Sequence, residues 1–138
     1  MKNYIPLLGR VLIGVPFMFS GVGKLASHDA TVAYISSVGL PLAQLGWVIA
    51  IVVEIGFGAL LLIGYRGRLA AAILGLFSLS TAVFFHRNFA DQNQMIHFLK
   101  DIMLAGGLLQ LVYFGTGPIS VDASRAERKA DGMQPRTA

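Results

Sequence analysis

Residues 42–63 read LAQLGWVIAIVVEIGFGALLLI, and this stretch decides the fold. One charge, Glu54, and one amide, Gln44, interrupt a run otherwise built from aliphatic, glycine and aromatic residues. A helix needs about 20 apolar residues to cross a hydrocarbon layer of roughly 30 Å. This segment is that long, shows no alternation, and has no charged stripe with which to face water. It reads as a membrane span.

On either side lie three more segments of the same kind, at about residues 5–25, 69–85 and 96–114. The last two are short and would stand nearly upright or borrow flanking residues. In lipid every backbone N–H must find a partner within its own segment, so each is read as a helix. Four continuously apolar segments are too few to close a β-barrel. The tight turn at 64–68 carries Gly64, Arg66 and Gly67 and makes spans two and three an antiparallel hairpin. Residues 26–41 are longer and read as a short interfacial helix ended by Gly39-Leu40-Pro41. The expected architecture is therefore an all-α membrane protein. It is an antiparallel four-transmembrane-helix bundle over residues 1–122, with a short interfacial helix between spans 1 and 2. Residues 123–138 read as a polar, mobile cytoplasmic tail.

The chain has 138 residues, room for one compact unit. Hydrophobic residues make up 55%, charged residues 13%, and mean hydropathy is +0.67. That charged share is about half of what a soluble domain carries, so lipid is the natural solvent. The net charge of +4 does not imply nucleic acid as a partner. Its basic residues border apolar segments, where they anchor the chain to anionic headgroups, and form neither stripe nor patch. There is no cysteine, which excludes disulfides, thiolate metal sites, iron–sulfur clusters and CxxC chemistry. A redox role would need a borrowed cofactor or a partner. Lys2 and the stretch after it resemble a secretory leader. Arg10 interrupts that stretch and no clean small-x-small site follows before Lys24, so the first span reads as a retained anchor.

The face holding both termini and the 64–68 turn collects Lys2, Arg10, Arg66, Arg68, Arg125, Arg128, Lys129 and Arg136. The other face has Lys24, Arg87 and Lys100. Eight against three places both termini in the cytoplasm.

The polar residues within the spans are the most informative. A charge near the bilayer centre is costly and needs a partner or a wet cavity. Arg10 lies about five residues into the first span and Glu54 about nine from the end of the second, within roughly 6 Å in depth. They are expected to pair, directly or through water. Two readings stand: an ion pair that fixes helix register, or a proton-accepting carboxylate beside a cation at a ligand site. A second group sits at the other face. Lys24 and Lys100 can snorkel to water; Asp101 lies deeper and needs a donor, with Lys24 or Lys100 the candidates. His86 and His97 flank one loop and can approach each other, but without a carboxylate arrangement they are a weak metal or haem signal, and no metal is expected. Gln110 can bond to a neighbouring helix. Tyr34, Trp47, Tyr65 and Tyr113 fit an aromatic belt. No P-loop, dinucleotide fingerprint, nucleophile elbow or HExxH motif occurs.

At several of these residues the chain resembles the DoxX family of small bacterial membrane proteins. The matching pieces are Arg10, then Phe19-Ser20-Gly21 with Lys24-Leu25, Gly39-Leu40-Pro41, Glu54 and Gly64. Lys100-Asp101 with Gly106-Gly107 follow, and then an exit motif of the form GxGxxSxD made by Gly115, Gly117, Ser120 and Asp122. The resemblance runs to about Asp122 and implies a four-helix bundle in the bacterial inner membrane. It also implies a link to quinone-dependent oxidation, as in the DoxD-type subunit of a thiosulfate:quinone oxidoreductase, and to membrane complexes answering oxidative stress.

The leading functional expectation is a membrane subunit, non-catalytic or co-catalytic, of a quinone-linked redox or oxidative-stress complex. In it Arg10 and Glu54 orient a quinone headgroup and exchange a proton with it, while Lys24, Lys100 and Asp101 shape the entrance. Whether the chain is itself an enzyme stays open. The alternatives are an anchor or assembly partner for a soluble enzyme, and a small-solute transporter, for which no inverted repeat is evident between residues 1–66 and 67–122. A protein partner and a homo-oligomer both remain open beside the lipid bilayer itself.

Overall fold

The computed structural model describes residues 3–133. Lys2 and Arg136 of the charge tally lie outside them. Six helices follow in order: α1 Ile5–Ala26, α2 His28–Ser37, α3 Ala43–Ile63, α4 Gly67–Phe85, α5 Gln92–Phe114 and α6 Val121–Met133. No strand occurs among the described residues. Helices α1, α3, α4 and α5 are each long and apolar enough to cross a membrane.

Local chemistry sets the ends. Pro6 stands in the first turn of α1, where a missing N–H costs nothing. Helix α5 starts at Gln92, a turn before the expected 96, because Asp91 Oδ1 accepts the N–H of Asn93 at 2.9 Å and caps that polar turn. The interfacial helix expected between the first two spans is α2. Most of the stretch read as a mobile tail, through Met133, is helical as α6; residues 134–138 lie outside the described residues.

Register follows from the glycine contacts. Gly64 lies beside Arg10, Gly58 beside Gly14, and Gly21 beside Glu54, so α1 and α3 run antiparallel. Gly75 meets Leu108 and Gly67 meets Thr116, so α4 and α5 do the same. A small core of Phe17, Leu61, Ala70, Ala71, Leu74 and Leu108 holds the rods together. Outside it the usual rule inverts: Leu12, Leu76 and Met103 are exposed, and Phe19 is 80% exposed. An apolar surface this extensive requires hydrocarbon around it, which makes the chain a multi-pass membrane protein.

Helix α1 packs on α3, α3 on α4, and α4 most extensively on α5, but α1 and α5 barely meet. The ring of four rods is therefore open along one seam. At one end, here the terminal end, are the start of α1, the turn before α4 and the segment leading into α6. At the other, the loop end, are α2, the end of α4 and the start of α5.

Candidate functional site at the loop end of the bundle

Helix α3 is not uniform. Val52–Phe57 winds as a π-helix, and Glu54 lies within it. Ala50, Glu54 and Gly58 are all buried at a spacing of four. In an α-helix that spacing drifts by about 40° at each step. The wider π turn takes up the drift and keeps all three on the inner face. The carboxylate of Glu54 thus stays inside the bundle, with the residue 5% exposed.

Lys24, one turn beyond Ser20 on α1, meets that carboxylate with Nζ 2.8 Å from Oε2 and 2.9 Å from Oε1. The same ammonium donates to Ser20 Oγ at 2.8 Å, and Ser20 Oγ donates to Glu54 Oε1 at 3.2 Å. Glycine at 21 permits this approach, because a Cβ there would stand 2.6 Å from Ile55 Cγ1 and 3.1 Å from Glu54 Cβ. Trp47 Nε1 donates to the Lys24 carbonyl at 2.9 Å and its ring meets His28 edge-on, so this tryptophan fixes the end of α1.

Opposite, His86 closes α4 with Nε2 3.9 Å from Asp101 Oδ2 on α5. Its Nδ1 lies 3.0 Å from Gln94 Oε1, and its ring stacks on His97 at 5.0 Å. Asp101 Oδ2 is buried with no hydrogen-bond partner among the described residues. A buried acceptor left empty is rare enough to need a reason.

Between these two groups, along the open seam, lies a cavity of about 330 Å³. Ser20, Lys24, Glu54, Ser78, His86 and Asp101 supply its polar wall, and Leu12, Pro16, Phe17 and Phe77 part of its apolar wall. Pro16 has no N–H, so the carbonyl of Leu12 loses its helical donor at this wall. A second cavity of about 450 Å³ shares Lys24, Glu54, Phe77, Thr81 and His86 and continues under α2 past Tyr34, Ile35, Phe84 and Phe85. A cation, two carboxylates and an imidazole thus surround a space that is apolar on its other sides. Such a wall can donate hydrogen bonds to a lipophilic molecule with a polar head, and can take up or release protons beside it. No group of His, Asp or Glu side chains among the described residues converges as a metal site would.

The terminal end is built differently. Arg10 is 1% exposed and its Nη2 donates to the carbonyl of Ile119. Asp122 accepts the N–H groups of Arg66 at 2.8 Å and Gly67 at 2.9 Å, capping α4, while its own N–H donates to the Gly64 carbonyl. Ser120 Oγ donates to Gly117 O at 2.7 Å and accepts from the N–H of Ala123 at the start of α6. Gly64 has φ +73°, and a Cβ there would collide with Ser120 and the Arg10 guanidinium. Gly117 packs on Pro6 and Gly115 near Arg68. The exit motif is a clasp that ties the chain leaving α5 to the start of α1 and to the turn before α4.

The DoxX family model matches residues 5–87, more than half of the chain. The chain belongs to the DoxX family. The matched stretch takes in Arg10, Lys24, Glu54 and His86, while Asp101 and the exit motif lie beyond it. The chain is 34% identical over 116 residues to Inner membrane protein YqjF of Escherichia coli (strain K12), covering 84% of this chain and 88% of that protein. It is 33% identical over 121 residues to Inner membrane protein YphA of the same organism, covering 84% of this chain and 86% of that protein. No solved structure matches it.

Within this DoxX chain the expected Arg10–Glu54 pair does not form. The two lie too far apart along the bundle to meet: Glu54 is level with Gly21 and Arg10 with Gly64. Fourteen residues of α1 separate Arg10 from Lys24, about 21 Å along the axis. Depth counted from assumed span ends misplaced the register, and the partner of Glu54 is Lys24. The donor facing Asp101 is likewise His86 and not a lysine; Lys100, adjacent on α5, is turned outward and exposed. Gln110 is also exposed on α5, and His97 reaches the site only through its stack on His86. Sequence reasoning gave Ser20 as part of the family resemblance and passed over Ser78. The i, i+4 spacing of Ser20 and Lys24 was the available signal for the first; a lone serine in an apolar helix gave none for the second.

Proposed function

We propose that this DoxX chain is the membrane subunit of a quinone-linked redox system, set in the bacterial inner membrane with both termini in the cytoplasm, and that the loop-end cavity takes a quinone headgroup. The observation that carries this reading is the cavity itself, where Lys24–Glu54 and His86–Asp101 face each other beside a seam open to lipid. The residues present fit the group. A quinone has two carbonyl acceptors on an apolar ring, and the wall offers an ammonium, hydroxyls and an imidazole next to aromatic side chains. A bound quinone would supply two-electron, two-proton redox chemistry.

The chain's own residues orient and exchange protons. Lys24, steadied by Ser20 and Glu54, presents a fixed positive charge to the cavity. Glu54 keeps that charge in place and can exchange a proton with a bound headgroup. His86 stands between Gln94 and Asp101, so it can move a proton between solvent at the loop end and the cavity wall. Leu12 and Pro16, on the rim of the seam, admit a lipophile sideways from the bilayer.

The test is lipid extraction from protein purified in mild detergent. Quinone is expected with the wild type and is expected to be lost from Glu54→Gln that still melts cooperatively. Its absence from the wild type would overturn the reading and favour a bare anchor or a solute transporter.

A further inference from the structure

At the terminal end Arg10 has more donors than its clasp can use. The side chain is buried, and Nη2 is satisfied by the Ile119 carbonyl. Nε and Nη1 have no hydrogen-bond partner among the described residues. Asp122 is near enough to act on the charge, but its two oxygens already accept the N–H groups of Arg66 and Gly67. A guanidinium has five N–H donors and cannot relieve the shortage by losing a proton. Leaving such donors dry is costly, and the missing acceptor is therefore informative.

Arg10 borders a cavity of about 720 Å³ between the start of α1, the end of α3 and α6. Ser120, Ser124, Arg125 and Arg128 supply its other polar walls. Three arginines and no carboxylate line this space. Arg125 is held over the Tyr65 ring, 5.2 Å from its centroid. The remaining wall is apolar: Leu7, Leu62 and Ile63, the last of these exposed on the lipid-facing surface.

We propose that this cavity binds the phosphate of an anionic membrane lipid. Arg10 supplies its free donors from below, Arg125 and Arg128 close over the phosphate from α6, and an acyl chain lies along Leu7 and Ile63. Phosphate suits the donors because its oxygens match the fork of a guanidinium. A lipid suits the site better than a free anion because the cavity passes from a basic wall directly onto an apolar, lipid-exposed one. The assignment does not depend on what occupies the loop end.

The intact protein in neutral detergent is titrated by native mass spectrometry with phosphatidylglycerol, with phosphatidylcholine of the same acyl chains, and with inorganic phosphate. Phosphatidylglycerol is expected to bind on the order of tenfold more tightly than phosphatidylcholine. Arg125→Gln/Arg128→Gln, two exposed changes that spare the clasp, are expected to weaken phosphatidylglycerol by roughly twentyfold, about fivefold for each charge. Lys129→Gln, next along α6 and outside the cavity, leaves it within about twofold. Equal loss in Lys129→Gln, or a preference that survives the double change, would overturn the site in favour of diffuse surface charge. Inorganic phosphate binding with the same arginine dependence, without any preference among lipids, would overturn the lipid and assign the cavity to a free anion.

Discussion

The two ends of this bundle handle charge inside a membrane protein in opposite ways. At the terminal end, side chains are partnered by backbone: Arg10 by the Ile119 carbonyl, Asp122 by the N–H groups of Arg66 and Gly67. Backbone partners cannot swing away, and the glycines between them leave no room for adjustment. At the loop end, side chains are partnered by side chains, Glu54 by Lys24 and Asp101 by His86. Such groups can exchange partners and protons without unwinding a helix. The first arrangement holds shape, and the second has the freedom that binding and proton exchange require.

The largest expected effect tests how rigid the terminal end is. A Cβ at Gly67 would run into the side chain of Thr116, whereas one at Gly106 meets nothing within 4 Å. Gly67→Ala is expected to cost about 3 kcal/mol and Gly106→Ala close to nothing, measured by thermal unfolding in detergent. Equal effects would mean that the clasp is loose. Next comes the loop-end pair. Removing one partner of a buried pair costs about 3–5 kcal/mol, and Lys24 is 30% exposed, so Lys24→Met should cost nearer 2 kcal/mol. The double change Lys24→Met/Glu54→Leu should recover most of that. A single change without cost would show that the pair is solvated.

Asp122→Ala removes the acceptor from two N–H groups at the head of α4 and should cost about 1–2 kcal/mol, with the loop end unaffected. The smallest effect concerns pH. His28 has its pKa raised, chiefly by its hydrogen bond to Asp29 and then by that to Gln44. A raised value means that this contribution is fully present below the unfolded histidine value of about 6.5 and fades as pH climbs through the folded one. Melting temperature should therefore fall slightly above that pH in the wild type and stay flat in His28→Gln. A rise instead would show that the protonated ring is not the form held by Asp29.

The fold was legible because hydrocarbon imposes a length and a composition that 42–63 and its three counterparts meet openly. Family and fold both followed. Pairing inside the bundle was less legible. Glu54 could be seen to need a cation, but choosing between Arg10 and Lys24 required the register of α1 against α3, which the ends of apolar runs do not fix. Gly21 and Gly14 do fix it, through contacts that no single sequence displays. The π turn at Glu54 had only the four-residue spacing of Ala50, Glu54 and Gly58 to announce it. The exit motif was legible as a pattern and silent about its purpose, because its bonds run to residues more than fifty positions away, Asp122 to Arg66 and Arg10 to Ile119.

The one tryptophan, Trp47, is bonded to the Lys24 carbonyl and so reports on the loop end directly. Titrating the purified protein with a short-chain benzoquinone should give saturable quenching of Trp47 fluorescence. That quenching should vanish in Glu54→Gln and His86→Leu and persist in Arg125→Gln/Arg128→Gln. Quenching that rises without saturation, to the same extent in all four proteins, would contradict a site at the loop end.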